Sequence, residues 1–569
     1  MLRTYLLTLK KLISTTPGLF IVGIIVGLIV FTLLFGLAIV NPLNIDWIQN
    51  INGDVVQHYI GWMYYRDSAW QFPNIGKIDG LAYPGGISLV YMDVIPIFAI
   101  IFKLFSGILP AHFQYFGIFT LLSYLLLGGF AAIIIKRFTK STLITLLGTV
   151  MLVCTPIIIG RSFAHTALTA HWLVLAAIYY AIVFHQEKAP TKKQVITWSI
   201  LLTLAVLIHA YFIPIVASVF IFSLVQQHVR IKTSLIRFIV PVAVALVMFG
   251  LIGGFSTGMA TNGDSGLGAY GINLLAPIIP IGYSTFVMTP FTHPQWEGLS
   301  YIGLGILLIV PIAWFVLLTG LRKSSLKQYV KDIYRKLQNK RTLVLTLIVL
   351  LVFIFSLSPR VFVGDLHIAN IPHPSIIGYV WETFRSTGRI FWPIYYSLII
   401  LLFVLLINIT RKWNFTIAIA LILPLTVIQA VDILDSPAVK QKTSSVSLAL
   451  SKPHVSDQLD SKFIRSYCNK HNVVLVDNSL DSGVKMFTDL SDYIVSCHPA
   501  LTSGYFARFP KNAILNYANA KRLQLVQGTL TIPDSDLYLT QSPDFMHEIN
   551  QQEYAFQKFG DYYVITNKL

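Results

Sequence analysis

Charged side chains are scarce in this chain, and the scarcity excludes an ordinary soluble fold. Only 12% of the 569 residues carry charge while 55% are hydrophobic, against about 25% charged in typical soluble domains. A globular core of this size has no room for so much apolar surface, whereas a lipid bilayer does. Cysteine is nearly absent, with three residues in all, so no cysteine framework organises the chain. Cys154 lies in an apolar run; Cys468 and Cys497 lie in the tail, where an oxidising exterior would let them pair. No internal repeat of the kind common in transporters is present.

What the chain does contain is a series of long apolar runs. Spans are expected near residues 18–40, 112–135, 141–160, 169–185, 194–209, 211–227, 236–256, 299–320, 341–358, 390–409 and 413–431, about eleven in all. The net charge of +17 would suit nucleic acid if it formed one patch, but it does not. Basic residues gather in short connections: Lys136, Arg137 and Lys140; Lys188, Lys192 and Lys193; Arg230, Lys232 and Arg237; and Arg322 through Arg341. About 22 fall on one set of connections and about 7 on the other before residue 432, the asymmetry of cytoplasmic loops. The reading is therefore a plasma-membrane protein with a cytoplasmic amino terminus and an extracytoplasmic carboxyl tail, and no nucleic-acid partner. Arg3, Lys10 and Lys11 precede a first apolar run too long for a cleaved signal.

Residues 88–109 are apolar enough to tempt a further span. Crossing there would invert every later basic loop, so an interfacial or re-entrant helix is expected instead, with Asp93, Pro96 and Lys103 breaking its apolar character. Three segments on the outer side are long: 41–111, 257–298 and 359–389. Beyond residue 431 apolar runs shrink to strand length, at 473–476, 493–495, 537–539 and 562–565, and alternate with helix-like stretches such as 510–526. The expected division is a membrane domain at 1–431, carrying a first outer loop at 41–111, and a small α/β domain at 432–569. The latter holds neither a glycine-rich phosphate loop nor a metal-spaced cysteine and histidine set, which suits a lid or docking module.

Four polar constellations lie on the outer side. In the first, helical spacing puts Asp54, His58 and Trp62 on one face, with Tyr59 and Tyr65 beside them and Asn52 placed to cap. A carboxylate at a helix start beside histidine suits a general base, though capping an amphipathic helix is the plainer role. Asp46, Asp67 and Asp93 are weaker candidates; an acid at Asp93 within apolar sequence is costly unless it is paired or functional. The second is Glu382, Arg385, Gly388 and Arg389, two arginines one helical turn apart that suit bidentate grip of phosphate, or headgroup anchoring. The third is Arg161, His165 and His171, of which the first two share a helical face. The fourth is the glycine-rich loop at 263–271 with Asn273, followed by Gln295, Trp296 and Glu297, a loop that could order over a ligand or simply connect.

The stretches GDVVQHYIGWMYYRDSAWQFP, SLVYMDVIPIFAI, LPAHFQYFG, AHTALTAHWLVLAA, GLGAYGINLLAPIIP, WEGLSYIGLG and FRSTGRIFWPIYY together resemble a family of bacterial multispan proteins of uncharacterised domain type. That family is itself similar to the C-type glycosyltransferases, membrane enzymes that use polyprenyl-phosphate sugars. The resemblance covers about residues 45–400 in order. It implies a helical polytopic fold of the glycosyltransferase C type, whose first outer loop carries an acidic residue and two membrane-lying helices, the run at 88–109 being one. It also implies Asp54 as catalytic base and Arg385 and Arg389 as lipid-phosphate ligands. The first outer segment has no Asp-x-Asp pair and the chain no WWD-type motif, which argues against a metal-dependent mechanism.

The expectation is thus a glycosyltransferase that moves a sugar from a polyprenyl-phosphate donor to a hydroxyl of an envelope glycan or teichoic-type polymer, with inversion. Asp54 and His58 would be catalytic. Arg161, His165, His171, Arg385, Arg389, Asp93, Glu297, Tyr59 and Trp62 would line the substrates. No cofactor is expected, with a divalent metal left open. The alternative is a lipid-linked-sugar flippase or an export and assembly component.

Overall fold

The computed structural model describes residues 15–49, 54–227, 231–256, 260–261, 268–290, 295–320, 339–411, 413–451, 464, 466–477, 480–506 and 508–568. Asn52, residues 263–267 of the glycine-rich loop and most of the basic stretch 321–342 lie outside them. The chain groups into two compact units, neither continuous in sequence: residues 1–41, 116–245 and 264–445, and residues 42–115, 246–263 and 446–569.

The first unit is helical, as its apolar runs require, because a backbone in lipid must satisfy its own hydrogen bonds. Across the described residues of the chain, eight helices are long and apolar enough to cross a membrane: Thr16–Phe35, Phe116–Lys136, Thr166–Glu187, Thr191–Ile208, Lys232–Leu251, Lys340–Leu357, Thr387–Thr410 and Phe415–Leu434. A ninth is made if the pair Thr142–Val153 and Pro156–Ser162, bent by 50° at its break, counts as one span. Pro156 lacks the N–H that would carry the helix through this break. Two further apolar helices, Phe212–Gln226 and Leu304–Val316, are shorter. This is a polytopic helical protein suited to a lipid bilayer.

The first helix begins where Thr15 Oγ1 accepts from the Gly18 amide at 3.1 Å, and it ends at Gly36, whose φ of +66° lies in the left-handed region. It packs on Phe116–Lys136 through glycines. A Cβ at Gly23 would sit 2.1 Å from the Gly128 carbonyl oxygen, and one at Gly128 would sit 2.0 Å from that of Gly23. Gly27, four residues on, makes the same approach to Tyr124. Small residues at this spacing bring two backbones into contact, which is how helices associate where lipid removes the hydrophobic drive.

A buried carboxylate fixes the connection 280–304 against the helix Phe415–Leu434. Asp432 is fully buried. It accepts from Ser284 Oγ, from Tyr301 Oη at 2.9 Å, from the Leu304 amide at 2.9 Å and from the Thr285 amide at 3.2 Å. Gln429, one turn earlier, donates to the carbonyls of Cys154 and Ile302. Upstream, Asn273 exchanges two hydrogen bonds with Gly364 in the hairpin of strands Arg360–Val363 and Leu366–Asn370.

The second unit combines the first outer segment with the tail. The helix Asp54–Asp67 forms as expected and is buried from Val55 to Tyr65. Its Arg66 donates to the carbonyls of Ser106, Leu109, Pro110 and Ala111. The run 88–109 is not one helix: it breaks into a 3-10 turn at Leu89–Tyr91, a helix at Pro96–Lys103 and a 3-10 turn at Ser106–Ile108. Asp93 and Ile95 have φ of 52° and 55°, so Asp93 sits in a left-handed turn and not within a helix. Lys103 is buried, its Nζ 4.1 Å from the Tyr65 ring centre and 4.7 Å from that of Trp70. Burial lowers its pKa to about 8, although Asp67 and Asp79 pull the other way.

The tail carries a five-stranded sheet in the order Tyr554–Phe559, Tyr562–Asn567, Asp536–Thr540, Asn472–Leu475, Ala500–Leu501. The first three strands pair antiparallel and the last two join in parallel. Residues 493–495, expected as a strand, instead lie in the helix Ser491–Cys497; so short an apolar run carries no period that separates the two. Cys468 and Cys497 form a disulfide. The helix Phe415–Leu434 runs past residue 431.

Replacing Gly128 with Leu should destabilise the protein by at least about 3 kcal/mol, because backbone blocks the new side chain. Gly107→Ala, where a methyl group meets nothing, should leave it unchanged. Thermal unfolding in detergent or nanodiscs measures both.

Candidate active site

In the first unit, a carboxylate meets basic side chains from two other parts of the chain. Glu297 lies in the 3-10 turn Trp296–Gly298, on the connection that Asp432 holds. Arg161 ends the short helix Pro156–Ser162, beyond the 50° bend. Arg389 lies in the turn Thr387–Phe391, which leads directly into the helix Trp392–Thr410. Arg161 Nη2 is 2.7 Å from Glu297 Oε2 and also donates to the Glu297 carbonyl at 2.8 Å. Arg389 Nη2 is 3.2 Å from the same Oε2. His165 Nε2 approaches Oε1 at 3.9 Å, brought back by the turn in which its amide bonds the Arg161 carbonyl. The side chains of Glu297 and Arg389 are only 6% and 8% exposed.

Burial by itself would raise the Glu297 carboxyl, but Arg161 and Arg389, with hydrogen bonds from His165 and Arg161, outweigh it. They hold the group well below the usual carboxylate range. The Arg389 guanidinium also lies over the Tyr211 ring, 4.6 Å from its centre, while the Tyr211 hydroxyl accepts from the Ser386 amide at 3.0 Å. Lys442, half-buried with its Nζ 6.0 Å from the Phe163 ring, is held below the usual lysine range by burial and by the charge of Arg161. Two guanidinium groups against one carboxylate bring together planar donors suited to an oxyanion.

Arg161, His165, Glu297 and Arg389, drawn from separate sequence motifs, are therefore one site. Arg385, one turn before Arg389, is placed against the Tyr270 ring at 5.9 Å. His171 stands apart. Its Nδ1 is 3.1 Å from the Tyr396 hydroxyl, its ring lies 4.1 Å from that of Trp392, and it is fully buried, which is a packing role. Tyr211 had no signal in the sequence, since nothing in its surroundings marks a ring that carries a guanidinium.

In the second unit, Asp54 opens its helix and accepts from the Tyr505 hydroxyl at 2.6 Å. His58, one turn on and fully buried, directs Nε2 to Asp93 Oδ2 at 3.6 Å. The left-handed turn at Asp93 thus serves an acid–histidine contact that helical spacing alone does not suggest. Trp62 is buried and donates to the Phe113 carbonyl at 2.8 Å, which anchors the segment. Tyr59 is fully buried, with a hydroxyl that meets no hydrogen-bond partner among the described residues; burial pushes its phenol up. An Asp-x-Asp triplet does occur in the tail, at Asp534, Ser535 and Asp536, but Asp536 is engaged in the sheet by Asn472 and Ser535.

Residues 24–434 match the family described as a domain of unknown function (DUF6311), and the chain belongs to that family. No curated protein matches the chain.

Glu297→Gln should lose about 3–5 kcal/mol at neutral pH, because two buried guanidinium groups lose their anion. The depressed carboxyl contributes stability that is complete above its unfolded pKa of about 4.3 and is lost as pH falls through the folded value. The gap between wild type and variant should therefore hold down to about pH 4.3 and narrow only below it, which thermal unfolding across pH 3–8 measures.

Proposed function

We propose that this member of the DUF6311 family is a membrane glycosyltransferase of the C-type architecture. In this reading the chain spans the bilayer eleven times with its amino terminus in the cytoplasm of a bacterium. Its first outer loop and its domain at 432–569 lie outside the plasma membrane. The basic connections support that orientation, and so does the Cys468–Cys497 disulfide, a bond of oxidising compartments. The substrates are a polyprenyl-phosphate-linked sugar and a hydroxyl of an envelope glycan or teichoic-type polymer.

The observation that carries the proposal is the Arg161–Glu297–Arg389 cluster at the start of the helix Trp392–Thr410. Beyond that start, Pro393, Ile394, Leu398 and Leu401 line an apolar cavity of about 440 Å³, together with residues such as Ile178 and Val219. A cation cluster before this helix and an apolar cavity along it suit the two ends of an isoprenoid phosphate. Glu297 would keep both guanidinium planes in place while they accept the phosphodiester, with Arg385 as a further ligand.

Asp54 would take the proton of the acceptor hydroxyl. As that oxygen bonds to the anomeric carbon, the bond from this carbon to the phosphate oxygen breaks from the opposite face, inverting the centre. The electron pair leaves with polyprenyl phosphate, whose charge the arginines stabilise. His58, held by Asp93, would steady the acid's helix face and the approaching hydroxyl.

Transfer of radiolabelled sugar from a synthetic polyprenyl-phosphate donor to envelope glycan tests this reading. Leaflet movement of that lipid in liposomes without transfer would instead establish a flippase. Asp54→Asn should lower turnover by about 10²–10⁴-fold with donor binding retained. Arg389→Lys, which keeps the charge but loses the planar fork, should weaken donor binding by about tenfold or more.

A further inference from the structure

The helix Pro437–Ser451 follows the one that holds Asp432, and its first turn is tied to the connection that carries Glu297. There the Ala438 amide donates to the Gly282 carbonyl at 3.1 Å. Lys442 lies one turn after Ala438 on the same helix face. It is half-buried, with its Nζ 6.0 Å from the centre of the buried Phe163 ring, and Phe163 is two residues beyond Arg161. Lys440, in the same helix, is exposed and paired with Asp435 at 2.7 Å. Lys442 has no acid partner among the described residues.

Tyr283, next to Gly282, reaches the residue before Arg161: a Cβ at Gly160 would lie 2.9 Å from its Oη. Tyr283 is only 8% exposed, yet its hydroxyl has no hydrogen-bond partner among the described residues. Burial pushes the phenol up to about 12, against the opposing charge of Arg161. Arg161 commits Nη2 to Glu297, to the carboxylate and the carbonyl. Its Nε and Nη1 donate to nothing among the described residues.

Three donors with hydrogens to spare thus meet around Gly160–Phe163, and two of them are cations that repel. Burial and the charge of Arg161 together hold the Lys442 amine below the usual lysine range. A lysine that only shielded an apolar ring would extend its amine into water, away from a like charge. An anion among the three turns that repulsion into attraction and takes up the open donors. A phosphoryl group suits donors from three separate elements, because its charged oxygens point in different directions.

We propose that Arg161, Tyr283 and Lys442 form a phosphoryl site of their own, adjoining the Glu297–Arg389 pair through Arg161. The inference rests on reading the cluster as a phosphate site, and it adds a second phosphoryl position there. Two sources share that chemistry: the second phosphoryl group of a diphosphate-linked isoprenoid, and free phosphate.

The test uses the full chain in nanodiscs and needs no sugar transfer. Acetic anhydride acylates amines, and the rates at Lys442 and Lys440 are read by mass spectrometry of the peptide that holds both. Inorganic phosphate at constant ionic strength should slow Lys442 by about fivefold or more and leave Lys440 unaltered, since an amine bound to phosphate is held protonated. In Tyr283→Phe, half-protection should need about tenfold more phosphate, the equivalent of one hydrogen bond to a charged group. Farnesyl phosphate and farnesyl diphosphate separate the sources. Protection by the diphosphate at about tenfold lower concentration than by the monophosphate or inorganic phosphate identifies the lipid. Equal potency of inorganic phosphate and farnesyl diphosphate identifies free phosphate.

Unaltered labelling of Lys442 under all three probes overturns the proposal, as does equal slowing of Lys440. Protection that Tyr283→Phe leaves unchanged overturns it too, because the donors then do not act as one site. Protection of Lys442 without sugar transfer would sink the transferase and keep the site. Transfer without protection sinks the site alone.

Discussion

A carboxylate enclosed in an apolar helical protein must be surrounded by donors, and the first unit is organised around that requirement. Glu297 is ringed by Arg161, His165 and Arg389, and Asp432 by Ser284, Thr285, Tyr301 and Leu304. The second set holds the connection on which the first is built, since residue 297 lies between 285 and 301. Desolvating an isolated carboxylate costs several kcal/mol. Neither acid tolerates a fold in which its partners are elsewhere, and both therefore specify how the helix ends meet.

The two sets differ in the donors they use. Asp432 is satisfied by hydroxyls and amides, donors that carry no charge of their own. Glu297 faces two guanidinium groups, one of them also resting on Tyr211. Arginine suits that task because its charge is permanent and its planar fork can serve a carboxylate and a second oxyanion together. The proposed grip on a lipid phosphate is thus a use of charge that the resident acid organises.

The second unit shows a different economy of means. Asp54 stands at a helix start, where the helix dipole favours its ionised form, and its hydrogen bond comes from Tyr505 in the tail. Residues 42–115 and 446–569 share one compact unit, so the tail packs with the first outer segment and not as a separate appendage. His58 and Asp93 meet because the chain turns through left-handed conformations at Asp93 and Ile95, a backbone strain that non-glycine residues adopt only when the surroundings impose it.

Apolar length and the scarcity of charge determined from the sequence alone that the chain is a polytopic helical membrane protein, because the bilayer's demand on backbone hydrogen bonds acts on every run of sufficient length. The helix beginning at Asp54 and the mixed character of the tail were legible for the same local reasons. The run at 88–109 was not: its composition is that of one helix, while Pro96 and the left-handed turn before it divide the chain. Helical spacing joined residues 161 and 165 and set His171 apart from them, yet nothing local joined that pair to residues 297 and 389. Whether Trp62 and His171 pack or bind, and whether a tyrosine 451 positions away reaches Asp54, depends on which surfaces meet. That was decided only by tertiary structure, since partners for buried polar groups are chosen in space and leave no period, spacing or composition in the chain.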